Sequence, residues 1–318
     1  MHKRQLGNTD MQITPLGLGA WAMGGGGWEF GWGAQDDEES IKTINRGLDL
    51  GINWIDTAAV YGLGHSEEIV GKAIKDRAEK PYIFTKCSLV WNDKKEIGNS
   101  LKADSIRREA EASLKRLKID VIDLYQIHWP NPEAEIEEGW EAMARLKKEG
   151  KVRAIGVSNF NVEQMQRIQR IAPIDSLQPS YSLVHPDVEK DVLPYCEHYN
   201  IGVIVYSPMA SGLLTGRMSR ERVERMPADD WRKRDPEFQQ PRLGRNLELA
   251  KLLSEIGYPY KMPAGAVAIA WALRNPVVTG AIVGSRRPEQ IEELVMAAEF
   301  RLKEMELEQI DTFLEDHP

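Results

Sequence analysis

The chain is short of several things, and each shortage excludes a class of protein. Only two cysteines, Cys87 and Cys196, occur in 318 residues. That is too few for a disulfide framework, so a reducing compartment with two free thiols is expected. No stretch reaches the roughly 20 consecutive apolar residues that cross a bilayer, and the opening "MHKRQLGNTD" has no apolar signal core. The expectation is therefore a soluble, cytoplasmic protein. Neither sign of charge is concentrated: 49 acids and 41 bases are interspersed, for a formal net charge of -8, which argues against nucleic acid and membrane as partners. Several chemical signatures are also missing. The glycine-rich "GAWAMGGGGWEFGWG" at 19–33 lacks the G-x-G-x-x-G spacing of a dinucleotide fingerprint, and no P-loop, H-E-x-x-H, C-x-x-C or nucleophile elbow occurs. A doubly wound nucleotide-binding sheet, a zinc site and a serine or cysteine nucleophile all lose support.

What is present is an alternation. Apolar residues make up 42% of the chain, enough for one large core, and a single domain over 1–318 is expected. After "KRQLGNTDMQITPLGLG", read as a hairpin around the turn "GNTD", come short runs rich in branched aliphatics. They are "TPLGLGAW" at 14–21, "INWID" at 52–56, "YIFTK" at 82–86, "VIDLYQIH" at 121–128, "RAIGVSN" at 153–159, "DSLQPSY" at 175–181, "IGVIVYS" at 201–207 and "TGAIVGS" at 279–285. Helical spacing separates them. Ile106, Ala110, Leu114 and Leu117 share one face of a helix with Asp104 and Ser105 as candidate caps, and Asn161 with Gln164 forms a capping-box pattern. Eight strand-helix units predict a closed (β/α)8 TIM barrel preceded by a hairpin. Residues 209–244 break the rhythm as a long charged loop within the domain.

In such a barrel the chemistry gathers where strands end. The predicted ends carry Asp56 with Tyr61 in its loop, Lys86, and His128. They continue with Ser158 and Asn159, Gln178, Tyr206 and Ser207, then Gly284, Ser285 and Arg286. Taken singly, Asp56 can cap a helix, Lys86 can snorkel and His128 can be a satisfied core imidazole. Taken together, they converge on one patch. A lysine beside a tyrosine favours the phenolate and lowers its pKa, a carboxylate holds that lysine charged, and the phenol becomes a general acid toward a carbonyl that the histidine positions. The missing nucleophile is then a hydride from a nicotinamide. Ser158, Asn159 and Gln178 offer contacts to its carboxamide and Tyr206 a flat face for its ring. Arg286 and Arg287 with Ser285, at the start of a helix, suit an extra phosphate and so NADP (NADPH/NADP+) rather than NAD. Trp21, Trp28, Trp32, Trp91 and Trp129 suggest an aromatic-walled pocket for a small-molecule carbonyl or sugar substrate.

These stretches resemble the aldo-keto reductase superfamily nearly end to end. The resemblance rests on "GLGAW" at 17–21, "NWIDTAAVYGLGHSEEIVGKAI" at 53–74, "FTKC" at 84–87, "DLYQIHWP" at 123–130, "GKVRAIGVSNF" at 150–160, "LQPSYS" at 177–182, "VYSPMASGLLTGR" at 205–217 and "IVGSRRPEQIEEL" at 282–294. It implies carbonyl reduction with NADPH extended across the barrel top, Tyr61 as general acid, Asp56 and Lys86 as its tuning partners, and His128 orienting the carbonyl. It further implies cofactor contacts at Gly19, Ala20 and Trp21. Others follow at Ser207, Pro208, Met209, Gly212, Leu213 and Arg217 along the pyrophosphate, at Gly284, Ser285, Arg286 and Gln290 around the 2'-phosphate, and at Glu293 beside the adenine. One departure is Leu294, where many members carry Asn. Two other functions compete: a Schiff-base lyase using Lys86, which the strand-eight arginines disfavour, and a regulatory subunit that binds NADP without turnover.

Overall fold

The computed structural model describes residues 1–317, and alternation governs it from the first strand. Strands β1 (Arg4–Gln5) and β2 (Gln12–Ile13) form an antiparallel hairpin. Then follow β3 (Leu16–Gly19), α1 (Asp37–Asp49), β4 (Trp54–Asp56), α2 (His65–Ile74) and β5 (Tyr82–Cys87). A second hairpin, β6 (Leu89–Trp91) with β7 (Ile97–Asn99), interrupts before α3 (Ala103–Leu117), β8 (Ile122–Ile127), α4 (Ile136–Lys148), β9 (Val152–Ser158) and α5 (Val162–Gln169). The chain continues through β10 (Ser176–Gln178), α6 (Val192–His198), β11 (Gly202–Val205), α7 (Arg220–Glu224), α8 (Arg242–Gly257), α9 (Ala264–Ala272), β12 (Val278–Gly284), α10 (Pro288–Leu294) and α11 (Glu304–Asp316). The eight strands β3, β4, β5, β8, β9, β10, β11 and β12 close into a parallel barrel, with β12 pairing back on β3. The eight predicted runs are those eight strands.

Side-chain alternation along the strands stacks two layers inside the barrel. One residue in two points inward, so Trp54, Phe84 and Leu124 belong to one set, and Asp56, Lys86 and Gln126, two residues further along each strand, to the next. The lower set is apolar. Trp54, Phe84, Leu124, Ala154 and Ile204 pack with Leu6, Met11 and Ile13 from the N-terminal hairpin, which therefore plugs the barrel floor. The plug is tied down at both edges by Arg4 donating to the Val278 carbonyl (2.8 Å) and Asn53 donating to Gln12 (2.7 Å). The upper set is polar and buried, and its strand ends open toward a cavity.

Two local expectations differ from what folds. Helix α3 starts one residue before Asp104, behind Lys102, and neither Asp104 nor Ser105 caps it. Glu138 of α4 accepts from the Ala103 amide (3.1 Å), so a neighbouring helix supplies the cap. Residues 209–244 are not a structureless loop: they contain a 3-10 turn over Ala210–Thr215, α7 capped by Ser219, and two further turns at Trp231–Arg234 and Pro236–Phe238. The Asn161–Gln164 capping box forms as expected, with Gln164 N to Asn161 Oδ1 at 2.9 Å.

Gly17 shows how tightly the floor is packed. The Trp54 indole, whose Nε1–H donates to the Thr14 carbonyl (2.9 Å), occupies the space a side chain at Gly17 needs, and a Cβ there meets the ring at 2.2 Å. Gly280 also packs on the ring, where a Cβ stands 2.9 Å from Cζ2, so the indole is closely confined. Gly17→Ala is expected to destabilise the fold by about 3 kcal/mol, the upper end for overpacking a core. Urea unfolding of the two proteins checks it; equal midpoints contradict the packing described.

Candidate active site

The upper layer opens into a cavity of about 560 Å³. Asp56 and Lys86 are both buried, and Lys86 Nζ donates to Asp56 Oδ2 (2.6 Å) and to the Thr57 carbonyl (2.8 Å). Its third direction points at the Tyr61 hydroxyl, 3.4 Å away. Asp56 Oδ1 accepts from Gln178 Nε2 at 2.8 Å, so both carboxylate oxygens are engaged. Tyr61 faces the cavity beside His128, their rings edge to face at 5.7 Å, with Trp21 lying nearly parallel to Tyr61 at 6.0 Å. The loop behind Tyr61 depends on backbone passing backbone: Gly62, at φ +60°, lies so close to Gly24 that a Cβ there meets the Gly24 carbonyl at 2.2 Å. Any side chain at Gly62 displaces the loop that carries the tyrosine.

Burial sets the protonation states. It pushes the Asp56 carboxyl up and the Lys86 ammonium down, while their mutual attraction favours the charged forms. Burial, then the Asp56 charge, raises the Tyr61 phenol well above its ordinary value of 10.0. This corrects the expected lowering by Lys86: the lysine's charge is engaged with Asp56, and desolvation dominates at the phenol. The apolar surroundings, and next the Lys86 charge, lower His128 well below 6.5, so its imidazole is neutral.

The other expected residues fall into three groups. Ser158, Asn159, Gln178 and Tyr206 line one side of the cavity. Ser158 donates to the Gln178 carbonyl (2.8 Å), Asn159 to the His128 carbonyl (3.0 Å), and Tyr206 to Asn159 Oδ1 (2.8 Å), a network that joins four strand ends. A groove runs from Gly19, Ser207, Pro208, Met209, Gly212 and Arg217 to Gly284, Ser285, Arg286, Gln290 and Glu293. Trp21, Trp28, Trp32 and Trp129 form the wall opposite. Ala20 lies outside the lining, its amide and carbonyl spent on Asp56 and Ser66, and Leu213 is fully buried beneath the groove. Trp91 borders a separate cavity with Asn92, Asp93 and Lys95, because the β6–β7 hairpin turns it away from Tyr61, and its ring stands 6.0 Å from Arg116.

Sequence reasoning missed Trp231 and Arg232. Trp231 stacks on Trp21 at 5.1 Å, and the buried Arg232 covers Trp32 at 4.3 Å while pairing with Asp230 (2.6 Å) and donating to the Ser211 carbonyl (3.4 Å). The run "WRKR" lies in a charged segment with no strand to place it, so nothing local assigns it to the site.

Three features of the groove fit a bound dinucleotide. Ser207, Ala210, Ser211 and Gly212 all have positive φ, a strained run of the kind kept at ligand sites. The Ser285 hydroxyl is buried without a partner among the described residues. The guanidinium of Arg286 is hydrogen-bonded only to uncharged groups.

A family model described as "Aldo/keto reductase family" matches residues 15–315. The chain belongs to the aldo/keto reductase family. It is 40% identical to the aldo-keto reductase YhdN of Bacillus subtilis, over 99% of this chain and 94% of that one. It is 35% identical to the NADH-specific methylglyoxal reductase of Escherichia coli, over 96% and 95% of the two chains. The solved glycerol dehydrogenase AKR11B4 from Gluconobacter oxydans superposes with a TM-score of 0.89 at 37% identity, covering 99% of this chain and 95% of that one. Membership supports oxidoreductase chemistry on carbonyl compounds with a nicotinamide cofactor. No helix among the described residues is long and apolar enough to cross a membrane.

The buried pair gives a direct test of the site's construction. Lys86→Met leaves the Asp56 carboxylate facing only neutral groups inside the barrel and is expected to cost about 3–5 kcal/mol of stability. Guanidinium unfolding reads this; a loss below about 1 kcal/mol contradicts the ion pair.

Proposed function

We propose that the protein reduces an aldehyde or ketone to the alcohol, reversibly, with NADPH as reductant and Tyr61 as general acid. The observation that carries this reading is the Tyr61 hydroxyl 3.4 Å from Lys86 Nζ, at the bottom of the cavity, with His128 beside it. A bound nicotinamide supplies the hydride that reaches the carbonyl carbon. The side chains do the rest. Tyr61, held neutral by burial, donates its proton to the carbonyl oxygen, and the Lys86 charge stabilises the phenolate left behind. Neutral His128 donates a hydrogen bond that orients that oxygen. Asp56 keeps Lys86 charged and aimed.

Ser158, Asn159 and Gln178 hold the carboxamide and Tyr206 takes the ring face. Ser207, Pro208, Met209, Gly212 and Arg217 follow the pyrophosphate. Ser285, Arg286 and Gln290 meet the 2'-phosphate, and Glu293 approaches the adenine. Leu294 lines the same end with an apolar surface. Preference for NADPH is supported by Arg286, a half-buried cation without a carboxylate of its own, although the relative from Escherichia coli is named for NADH. Burial of Lys86 behind Asp56 counts against the Schiff-base alternative, since the amine does not line the cavity. Two relatives are named for methylglyoxal and glycerol, and three-carbon carbonyl compounds therefore head the substrate screen.

Tyr61→Phe is expected to lower kcat/KM for carbonyl reduction about 10²–10⁴-fold with nucleotide binding intact. Because the phenol titrates above its ordinary range and the imidazole below its own, wild-type kcat/KM for reduction is expected to stay level from about pH 7 to about pH 9. Unchanged turnover in Tyr61→Phe, or a single ionisation in that window removed by His128→Gln, contradicts the assignment.

A further inference from the structure

Arg286, an expected phosphate ligand, has its side chain held entirely by uncharged acceptors. Its Nε donates to Gln35 Oε1 (2.6 Å), one terminal nitrogen to the Trp32 carbonyl (3.3 Å), and the other to the Ala34 carbonyl. Gln35 closes the pair from the other side: its amide nitrogen donates to the Arg286 carbonyl (3.0 Å) and to Ser40 Oγ (3.1 Å). All three guanidinium nitrogens are thus turned toward residues 32–35. The acceptors are neutral, whereas the charges nearby are mostly of like sign, from Arg232, Arg287 and Arg222, with Asp230 committed to Arg232. A cation among cations, solvated by dipoles, binds an anion strongly, but the anion must first take the guanidinium from its present partners.

We propose that Gln35 determines coenzyme specificity, its carboxamide competing with the 2'-phosphate of NADP for the Arg286 guanidinium and so setting how far NADPH is preferred over NADH. NAD carries a hydroxyl at that position and leaves the clasp closed. NADP exchanges guanidinium bonds to neutral acceptors for bonds to an anion, and only the difference appears as preference. The inference rests on the dinucleotide reading of the groove and adds the residue that tunes it. Gln35 does not line the cavity but is bonded to Arg286, which does, so it acts through Arg286 as a positioning residue.

The test is calorimetric titration of the ligand-free protein with NADP+ and with NAD+. Gln35→Ala is expected to tighten NADP+ at least about fivefold, the worth of roughly one hydrogen bond, and to leave NAD+ within about twofold. Gln35→Glu, which places a carboxylate on Arg286, is expected to weaken NADP+ at least about tenfold relative to NAD+. Adding Arg286→Ala to Gln35→Ala is expected to abolish the gain. Parallel weakening of both nucleotides in Gln35→Ala makes Gln35 a loop support and overturns the proposal, as does an unmoved ratio in both variants. The glutamate variant carries the test alone if the alanine variant does not fold. Wild-type protein that binds neither nucleotide overturns the dinucleotide reading itself, whereas binding with an unmoved ratio overturns only the role of Gln35.

Discussion

The buried pair of Asp56 and Lys86 is the constraint on which the upper half of the barrel depends. Two opposite charges inside a protein cost several kcal/mol each to desolvate, and they are tolerated only when their geometry is close and their remaining hydrogen-bonding capacity is met. Here the second carboxylate oxygen takes Gln178 and the ammonium takes the Thr57 carbonyl. What remains of the ammonium faces a single neighbour, the Tyr61 hydroxyl. The arrangement therefore leaves one direction of the ammonium for the phenol, and Gln178, from the far side of the barrel, locks the carboxylate that holds the lysine in place. Removing either charge alone exposes the other to an environment that cannot solvate it.

That pair exists because of what lies one layer below. Asp56 follows Trp54 by two residues and Lys86 follows Phe84 by two, so the same strands that supply the apolar floor supply the polar layer. The N-terminal hairpin completes the floor with Leu6, Met11 and Ile13 and closes the bottom of the barrel. Water is thus kept from the pair on one side by a packed plug. On the other side stand Tyr61 and the stacked rings of Trp21 and Trp231. Arg217 and Glu293, both lining the groove, are bonded to each other at 2.6 and 2.7 Å.

Much of this was legible in the sequence, and the reasons for the failures are physical. The eight barrel strands showed themselves because most are short runs rich in aliphatic residues, as a parallel strand buried on both faces requires, and the polar residues at their ends marked the site. Asp56, Tyr61, Lys86 and His128 meet because each follows such a run directly or by one short loop. Trp91 carried the same loop-tryptophan signal as Trp28 but stands on the β6–β7 hairpin, whose turn is not encoded in any barrel rhythm. Leu213 and Ala20 sit inside motifs that touch the groove, yet their own side chains or backbone groups point into the core. The raised Tyr61 phenol was misjudged because charge proximity was weighed without burial, and burial is a property of the closed cavity. Trp231 and Arg232 lie in a segment fixed by tertiary contacts, to Trp21 and Trp32 and to the Gly31 and Ser211 carbonyls, that no local pattern encodes.

The central claim is that this cavity moves a hydride from a nicotinamide to a carbonyl carbon while Tyr61 delivers the proton. The most direct measurement is mass spectrometry of the alcohol formed from methylglyoxal, glyceraldehyde and simple aldehydes when the protein is supplied with NADPH deuterated at the transferring C4 position. One deuterium on the new carbinol carbon, at a rate lowered at least about 10²-fold in protein lacking the Tyr61 hydroxyl, is the predicted result. Alcohol formed without deuterium, or no consumption of reduced nicotinamide with any carbonyl in the panel, contradicts the account.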